Sequence, residues 1–361
     1  MKKNRFLLPI ALLIILACSL PGTTSDTASE NTDAVQTAVA GTQTALALAA
    51  PPVSSPVAPD SAAPAATPTI VHQTIPGEPP NRYESLVSDR NSSTTAAQRA
   101  ANGGENFDIN LLERPFNAIT MDIYYPDLDI IEARLDRSGS WAYAEIELVN
   151  VRPDEGILGG NYGIELDLDE DGRGDWLILA SQPQSEWTTL GVRVWQDSNN
   201  DVGNDIPVHA DYPQHGNGYE LYFDQGNNPD PDIAWARISP QNPAVVQIAF
   251  KNSLIANDNH FLWNAWSDQG VFNPAFYDYN DHFTHDEAGS PLPGLQRYYP
   301  LKALFEVDNT CRMSLGFELA GDEPGGCPVY VPPTPVPTRV PPTVPPTPIP
   351  PTPTETPIII Y

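Results

Sequence analysis

Hydrophobic and polar residues alternate along several short segments in the middle of the chain. Residues 141–149 (WAYAEIELV) and 162–169 (YGIELDLD) show this alternation, which has the period of a β-strand with one buried face. The second segment separates its residues by face, with Tyr162, Ile164, Leu166 and Leu168 on one side and Glu165, Asp167 and Asp169 on the other. Both segments are therefore predicted to be strands that cover a hydrophobic core.

Further strands are predicted between clusters of Gly, Asn, Asp and Pro. They are residues 130–135, 176–180, 188–195, 219–223, 234–238, 244–250 and 261–266. No segment sustains an apolar period of about 3.6 residues, so a helical bundle or an alternating α/β fold is disfavoured. The pattern predicts an all-β fold, an antiparallel β-sandwich, with jelly-roll and immunoglobulin-like topologies both open.

Composition separates this domain from its flanks. Residues 18–106 are dominated by Ser, Thr, Ala, Pro and Gly, and residues 328–361 are mostly Pro and Thr. Such segments bury too little apolar surface to offset the entropy of ordering, so they are predicted to be a disordered tether and an extended Pro-rich tail. The single β-sandwich domain is expected at residues 107–327.

The N terminus has the composition of a signal peptide. A basic start precedes the apolar residues 6–17, a run too short to span a bilayer. Residues 15–18 (ILAC) resemble the lipobox of bacterial lipoproteins, with Ile in place of the usual Leu at the first position. The resemblance implies removal of residues 1–17, lipidation of Cys18 and an extracytoplasmic protein anchored to a membrane of the bacterial cell envelope. An ordinary signal peptide cleaved elsewhere is the alternative.

Charge restricts the partners of the chain. Its 46 Asp and Glu residues against 18 Lys and Arg residues give a formal net charge of −28. Such a surface repels phosphate groups, so nucleic acid is disfavoured as a partner and cations are favoured. Besides Cys18 the chain has two cysteines, Cys311 and Cys327. Because export exposes them to an oxidising compartment, they are predicted to form a disulfide.

An acidic loop follows the strand at residues 162–169. The sequence DLDEDGRGD places Asp167, Asp169, Asp171 and Asp175 at loop positions 1, 3, 5 and 9, with Gly172 at position 6. Carboxylates at this spacing wrap oxygen ligands around a hard cation while the glycine makes a sharp turn. The loop resembles the calcium loops of dockerins, thrombospondin type 3 repeats and integrin-type propellers. The resemblance implies bound Ca²⁺, and a solvated turn is the alternative.

A second acidic loop repeats this spacing less completely. Asp197, Asn199, Asp201 and Asp205 occupy positions 1, 3, 5 and 9, but position 6 is Val202. This loop is therefore the weaker calcium candidate.

The region before the first loop adds a further resemblance. Residues 127–171 resemble the opening of sandwich domains of the DOMON type and of family 9 carbohydrate-binding modules, in which an aromatic-rich strand precedes a strand ending in acidic residues. The resemblance implies sugar or haem binding without catalysis. Haem is disfavoured because Met121 and Met313 are the only methionines after the signal peptide, and no His has a recognisable axial-ligand context.

A catalytic interpretation competes with this one. Glu165, Asp167 and Glu170 match ExDxxE, which resembles the strand motif of family 16 glycoside hydrolases. Two carboxylates about 5 to 5.5 Å apart could perform retaining hydrolysis. In this chain, however, Asp171 and Gly172 turn the segment immediately after Glu170. The sequence therefore favours a calcium-stabilised, non-catalytic surface module that binds a glycan or an envelope protein, with a secreted hydrolase as the alternative. It indicates no particular ligand-binding residues.

Overall fold

A computed structural model describes residues 70–203, 205–209, 211–212, 216–270, 282–292 and 301–329. These residues form two antiparallel sheets that share one hydrophobic core, which confirms the predicted all-β sandwich. The strands are β1 Ser85–Ser88, β2 Glu113–Arg114, β3 Ile130–Ser138, β4 Trp141–Leu148, β5 Asn161–Asp167, β6 Trp176–Ser181, β7 Val192–Gln196, β8 Glu220–Asp224, β9 Ala234–Ile238, β10 Val245–Lys251, β11 Phe261–Asp268, β12 Val307–Asn309 and β13 Met313–Leu315. Among the described residues, one α-helix, α1, spans His285–Ala288, and four 3-10 helices of three or four residues are also present.

The two sheets differ in size. The five-stranded sheet has the order β1-β3-β4-β10-β9. The eight-stranded sheet has the order β2-β12-β11-β5-β6-β7-β8, and β13 also pairs with β11. Between the sheets, Ile146 and Ile248 from the smaller sheet join Ile164 and Trp263 from the larger one in the main core. Each such buried side chain contributes about 1.5–3 kcal/mol relative to an exposed one.

The outer face of the eight-stranded sheet is also covered. Leu177, Leu179 and Trp266 project from that face into a second apolar cluster, which Tyr219 and Leu304 complete. Because both faces of this sheet are buried, polar side chains on its outer face are enclosed as well. This is the environment of the acidic residues of β5.

The fold includes residues that the sequence assigned to the tether. Residues 70–81, here termed the strap, lie against the outer face of the five-stranded sheet, and β1 pairs with β3. The Asp232 carboxylate accepts hydrogen bonds of 2.7 Å from the backbone N–H groups of Gln73 and Thr74. The boundary expected at residue 106 is corrected for this segment. The strap is held by hydrogen bonds from its backbone to side chains of the sandwich. Such bonds need no apolar side chains at regular spacing, so the sequence of the strap has no strand-like pattern.

The C-terminal edge is closed by a covalent bond. Cys311 and Cys327 are joined in a disulfide, which confirms the predicted pair. Cys18, the predicted signal peptide and most of the predicted Pro-rich tail lie outside the described residues. In the part of the chain that the structure describes, no helix is long and apolar enough to cross a membrane.

Candidate metal centre

The first acidic loop brings three carboxylates together at the turn between β5 and β6. Oxygens of Asp167, Asp169 and Asp175, here termed the loop triad, all lie within 4.8 Å of one another. The turn closes on its own backbone, because the Leu168 N–H donates to Asp175 Oδ2 at 2.6 Å and the Gly172 N–H donates to Asp167 Oδ2 at 3.1 Å. Gly172 has a φ of +95°, a conformation that an L side chain rarely adopts.

Burial sets the electrostatics of the loop triad. Asp167 is fully buried, and its Oδ1 has no hydrogen-bond partner among the described residues. Burial raises the pKa of Asp167 to about 7, although the guanidinium of Arg312 opposes the shift from 3.6 Å away. Burial also raises the pKa of Asp175 to about 6. An unpaired buried oxygen beside two further carboxylates is a donor set that fits Ca²⁺.

Asp171 does not join the triad, contrary to the spacing argument. Its Oδ2 accepts a hydrogen bond from the side chain of Asn200 at 3.1 Å, and its Oδ1 accepts one from the Arg173 N–H at 2.8 Å. The Asp197 N–H also donates to the Asp175 carbonyl oxygen. The two acidic loops therefore lie side by side, and Asp171 connects them.

The second loop uses its carboxylates to shape its own turn. The oxygens of Asp197 accept hydrogen bonds from the N–H groups of Asp201 and Val202 at 3.1 and 2.9 Å. Asp201 in turn accepts from Asn199, Asn217 and Gly218. Neither these residues nor Asp205 enter a cluster of three convergent carboxylates within the described ranges.

The carboxylates of the ExDxxE motif lie in separate environments. Glu165 is 1% exposed and accepts hydrogen bonds from Arg312 at 2.6 Å and from the Tyr219 hydroxyl at 3.0 Å. Glu170 lies beyond the end of β5, where its Oε1 is 2.6 Å from Nδ1 of His260. Since Glu165 is enclosed under Arg312 and Tyr219, its carboxylate is not open to a polymeric substrate.

A second group of carboxylates was not predicted from the sequence. Oxygens of Asp89, Glu113 and Asp308, here termed the buried triad, also lie within 4.8 Å of one another. Asp89 follows β1, Glu113 belongs to β2 and Asp308 belongs to β12. No spacing in the sequence could have revealed this group, because its three members come from distant segments.

A polar groove lies on the outer face of the five-stranded sheet. It has a volume of about 450 Å³. Residues 78–81 of the strap form one wall, and the floor carries residues of β3, β4 and β10 together with the loop after β9. The main polar floor residues are Glu132, Arg134, Glu145, Glu147 and Gln247. No family model, curated protein or solved structure matches this chain.

Proposed function

We propose that this protein is a surface-anchored, calcium-stabilised, non-catalytic module that binds a glycan, or else a partner protein, in the polar groove. The observation that carries the proposal is the lining of the groove. Its floor presents the carboxylates of Glu145 and Glu147 beside a half-exposed ion pair of Arg134 and Glu132. A concave site with converging donors and acceptors suits a ligand rich in hydroxyl groups, since each hydroxyl both donates and accepts.

The groove side chains hold one another in place. The Gln247 amide donates to Glu145 Oε1 at 2.7 Å, and Arg237 Nε donates to Gln247 Oε1 at 2.6 Å. Arg237 also pairs with Glu78 of the strap at 2.6 Å. This chain of bonds connects the floor of the groove to its strap wall. A ligand would therefore meet side chains that have already lost rotamer freedom, which favours affinity.

Glycan is the preferred ligand class over a partner protein. The resemblance of residues 127–171 to carbohydrate-binding sandwich domains points in the same direction as the lining of the groove. The aromatic side chains of the same sheet face do not form an open platform, because the strap covers them. His72 packs against the Trp235 ring at 4.6 Å between centroids, and Gly77 hydrogen-bonds to Tyr143 and Trp187.

Calcium has a structural role in this proposal. The loop triad lies at the turn between β5 and β6, two central strands of the eight-stranded sheet. Ca²⁺ held by Asp167, Asp169 and Asp175 would neutralise carboxylates that otherwise repel one another beside the sheet. Extracellular modules commonly bind Ca²⁺ at about 10⁻⁴ to 10⁻³ M, so a weak site is sufficient outside the cell. No observation favours the hydrolase alternative, because Glu165 is enclosed.

The test compares binding with catalysis. We expect the protein to be retained on an immobilised polysaccharide and to release no reducing sugar from it, with or without chelator. Arg134→Ala should weaken retention by about tenfold or more, because a buried or ligand-facing charged hydrogen bond contributes about 1.5–3 kcal/mol. Arg193→Ala is the matched control, since Arg193 is an equally exposed strand arginine that pairs with Asp224 on the other sheet. Equal retention of both variants would exclude the groove as the binding site.

The anchor is part of the same proposal. Lipidation of Cys18 would hold the module at a membrane, and two acyl chains anchor firmly because each buried CH₂ contributes about 0.8 kcal/mol. Mass spectrometry of the mature N terminus would detect the acyl chains, and Cys18→Ala should abolish them. A mature N terminus at another residue would contradict the lipobox interpretation.

A further inference from the structure

We infer that Asp89, Glu113 and Asp308 form a second site for a hard divalent cation, Ca²⁺, which cross-links three distant segments inside the sandwich. The site is separate from the loop triad and from the groove. It lies where the chain leaves β1, at the β2–β12 edge of the eight-stranded sheet.

The strand pairing places two of the carboxylates opposite one another. Glu113 and Asp308 are direct partners in the antiparallel ladder of β2 and β12, and both residues are 0% exposed. Like charges at directly opposed positions destabilise a sheet even at its surface. In a buried ladder the cost of an uncompensated ionised pair is larger, because water does not screen the charges. A cation bound between the two carboxylates would attract both of them and so replace their repulsion with a net attraction.

Oxygen atoms without partners point to a ligand. Glu113 Oε2 and Asp89 Oδ2 are both buried and have no hydrogen-bond partner among the residues described. The opposite oxygen of each group is fixed, since Ser92 Oγ donates to Glu113 Oε1 at 2.5 Å and the Arg90 N–H donates to Asp89 Oδ1 at 2.8 Å. Each carboxylate is thus held by one oxygen and leaves the other oxygen available within the cluster. Buried polar atoms in native proteins are otherwise nearly always paired.

The backbone also holds the third carboxylate. The Ile130 N–H donates to Asp308 Oδ2 at 2.7 Å, and the Asn309 N–H donates to Asp308 Oδ1 at 3.1 Å. Each oxygen retains a second lone pair that could face a metal ion. These bonds orient the Asp308 carboxylate before any ion binds, and such preorganisation favours binding.

The surrounding charges do not neutralise the cluster. Asp129 is fully buried beside it and adds a fourth carboxylate, which accepts hydrogen bonds from the Ser92 N–H and from the Tyr124 hydroxyl. The basic side chain that acts on Asp89 and Glu113 is Arg90, and it is exposed. A bound cation would neutralise these carboxylates, which the exposed Arg90 does less effectively because water screens its charge.

The donor set selects the class of metal. All of the side-chain donors are carboxylate oxygens, which suit hard cations, whereas zinc and copper sites favour imidazole or thiolate ligands. Ca²⁺ accepts carboxylates in flexible geometry, while Mg²⁺ retains several waters of hydration. An enclosed site made of protein oxygens therefore favours Ca²⁺.

The experiment measures Ca²⁺ binding and stability on the same purified protein. The protein is first treated with chelator and dialysed. Calorimetric titration with Ca²⁺ should then show binding in two phases, one for each triad. Glu113→Gln should remove the buried phase and leave the phase that Asp169→Ala removes. In chelator, Glu113→Gln should melt at the same temperature as the wild type or higher, because the amide retains the shape of the side chain and cannot carry a charge that repels Asp89 and Asp308.

A control and a second variant make the result decisive. Asp268→Asn replaces another buried carboxylate of the same sheet, one that is hydrogen-bonded to Asn161, Trp266 and Gly270, and it should leave both binding phases intact. If Glu113→Gln does not fold, Asp89→Asn tests the same site from its partly exposed side. Retention of both phases in the variants of this triad would show that the cluster shares protons and holds no cation, and would overturn the inference.

Discussion

The loop triad and the buried triad differ in how the chain brings three carboxylates together. Asp167, Asp169 and Asp175 come from one turn, and the turn's own backbone positions them. Asp89, Glu113 and Asp308 come from three segments that meet only after the sheet has formed. The first triad has a guanidinium nearby, that of Arg312, whereas the cation near the second is the exposed Arg90. A local cluster can thus be predicted from spacing, and a cluster formed by tertiary structure cannot.

Substitution of Arg312, the buried arginine beside the loop triad, is the first test that distinguishes the two triads. Arg312 is 2% exposed and bonds to Glu165 at 2.6 Å and to the Gly172 carbonyl oxygen at 2.6 Å. Arg312→Met should lower the free energy of unfolding by about 3–5 kcal/mol, because it leaves the buried Glu165 without its partner. Urea denaturation measures the loss.

A second substitution tests the reason for that loss. Adding Glu165→Gln to Arg312→Met should recover part of the stability, since the uncompensated charge is then removed. Calcium binding at the buried triad should not change in either variant. A loss of less than about 1 kcal/mol in Arg312→Met would contradict a stabilising role for the buried pair of Arg312 and Glu165.

The pH dependence of stability, measured in the presence of chelator, is the second test that distinguishes the two triads. Carboxyl groups whose folded pKa is raised contribute stability below their unfolded pKa and lose it as the pH rises through the folded pKa. For the loop triad this window ends near pH 7, set by Asp167, and for the buried triad it extends to about pH 9, set by Glu113. The free energy of unfolding should therefore fall between pH 5 and pH 9, by up to about 1.4 kcal/mol per pH unit for each titrating group, and the melting temperature should fall with it.

In the upper half of this pH range, the loss of stability is attributed to the buried triad. Between about pH 7 and pH 9, Glu113→Gln should flatten the profile and Asp169→Ala should leave it unchanged. Saturating Ca²⁺ should flatten it in the wild type, because the ion stabilises the ionised carboxylates. A profile that stays level in chelator above pH 7 would contradict the assignment of raised pKa values to this cluster.

The smallest expected difference lies between the two acidic loops. At a tenfold excess over Kd, Ca²⁺ at the loop triad should add about 1.4 kcal/mol to the free energy of unfolding, and Asp169→Ala should remove this gain. Asp201→Asn, in the neighbouring loop, should change the gain by less than about 0.5 kcal/mol, because Asp201 already accepts backbone hydrogen bonds. Thermal melts with and without Ca²⁺ measure both. An equal loss in the two variants would assign the second loop to the metal site.

The sequence predicted the long strands well and the short ones not at all. The predicted bounds of β9 match the observed ones because Asn, Asp and Pro clusters flank it, and alternation placed β5 within two residues of its observed bounds. In contrast, β2 has two residues and β12 has three, too few for any period to be detected. These two short strands are the ones that carry Glu113 and Asp308, so the buried triad was missed for the same reason.

The candidate loop shows the same limit at the level of single residues. Spacing identified Asp167, Asp169 and Asp175, which the turn brings together. It also included Asp171, whose carboxylate instead faces Asn200 of the neighbouring loop. The spacing argument describes one loop in isolation, and the partner loop becomes adjacent only when β6 and β7 pair. Groove residues gave no sequence signal, since charged side chains on an exposed strand face are common in any sandwich.

The strap has a mechanical consequence under the proposed anchoring at Cys18. Tension on the chain that precedes the strap would reach the hydrogen bonds from Gln73 and Thr74 to Asp232 before it reached any strand. Rupture of those bonds, and then of the contacts that Gly77 and Glu78 make with the sheet, would release up to about 40 Å of extended chain while the disulfide-closed sandwich stayed folded. Because the strap also forms a wall of the groove, we expect pulling to loosen ligand binding before it unfolds the domain. Single-molecule stretching should show this as a low-force extension step, and Asp232→Ala should lower its force. Absence of the step in the wild type would exclude the strap as a force-bearing element.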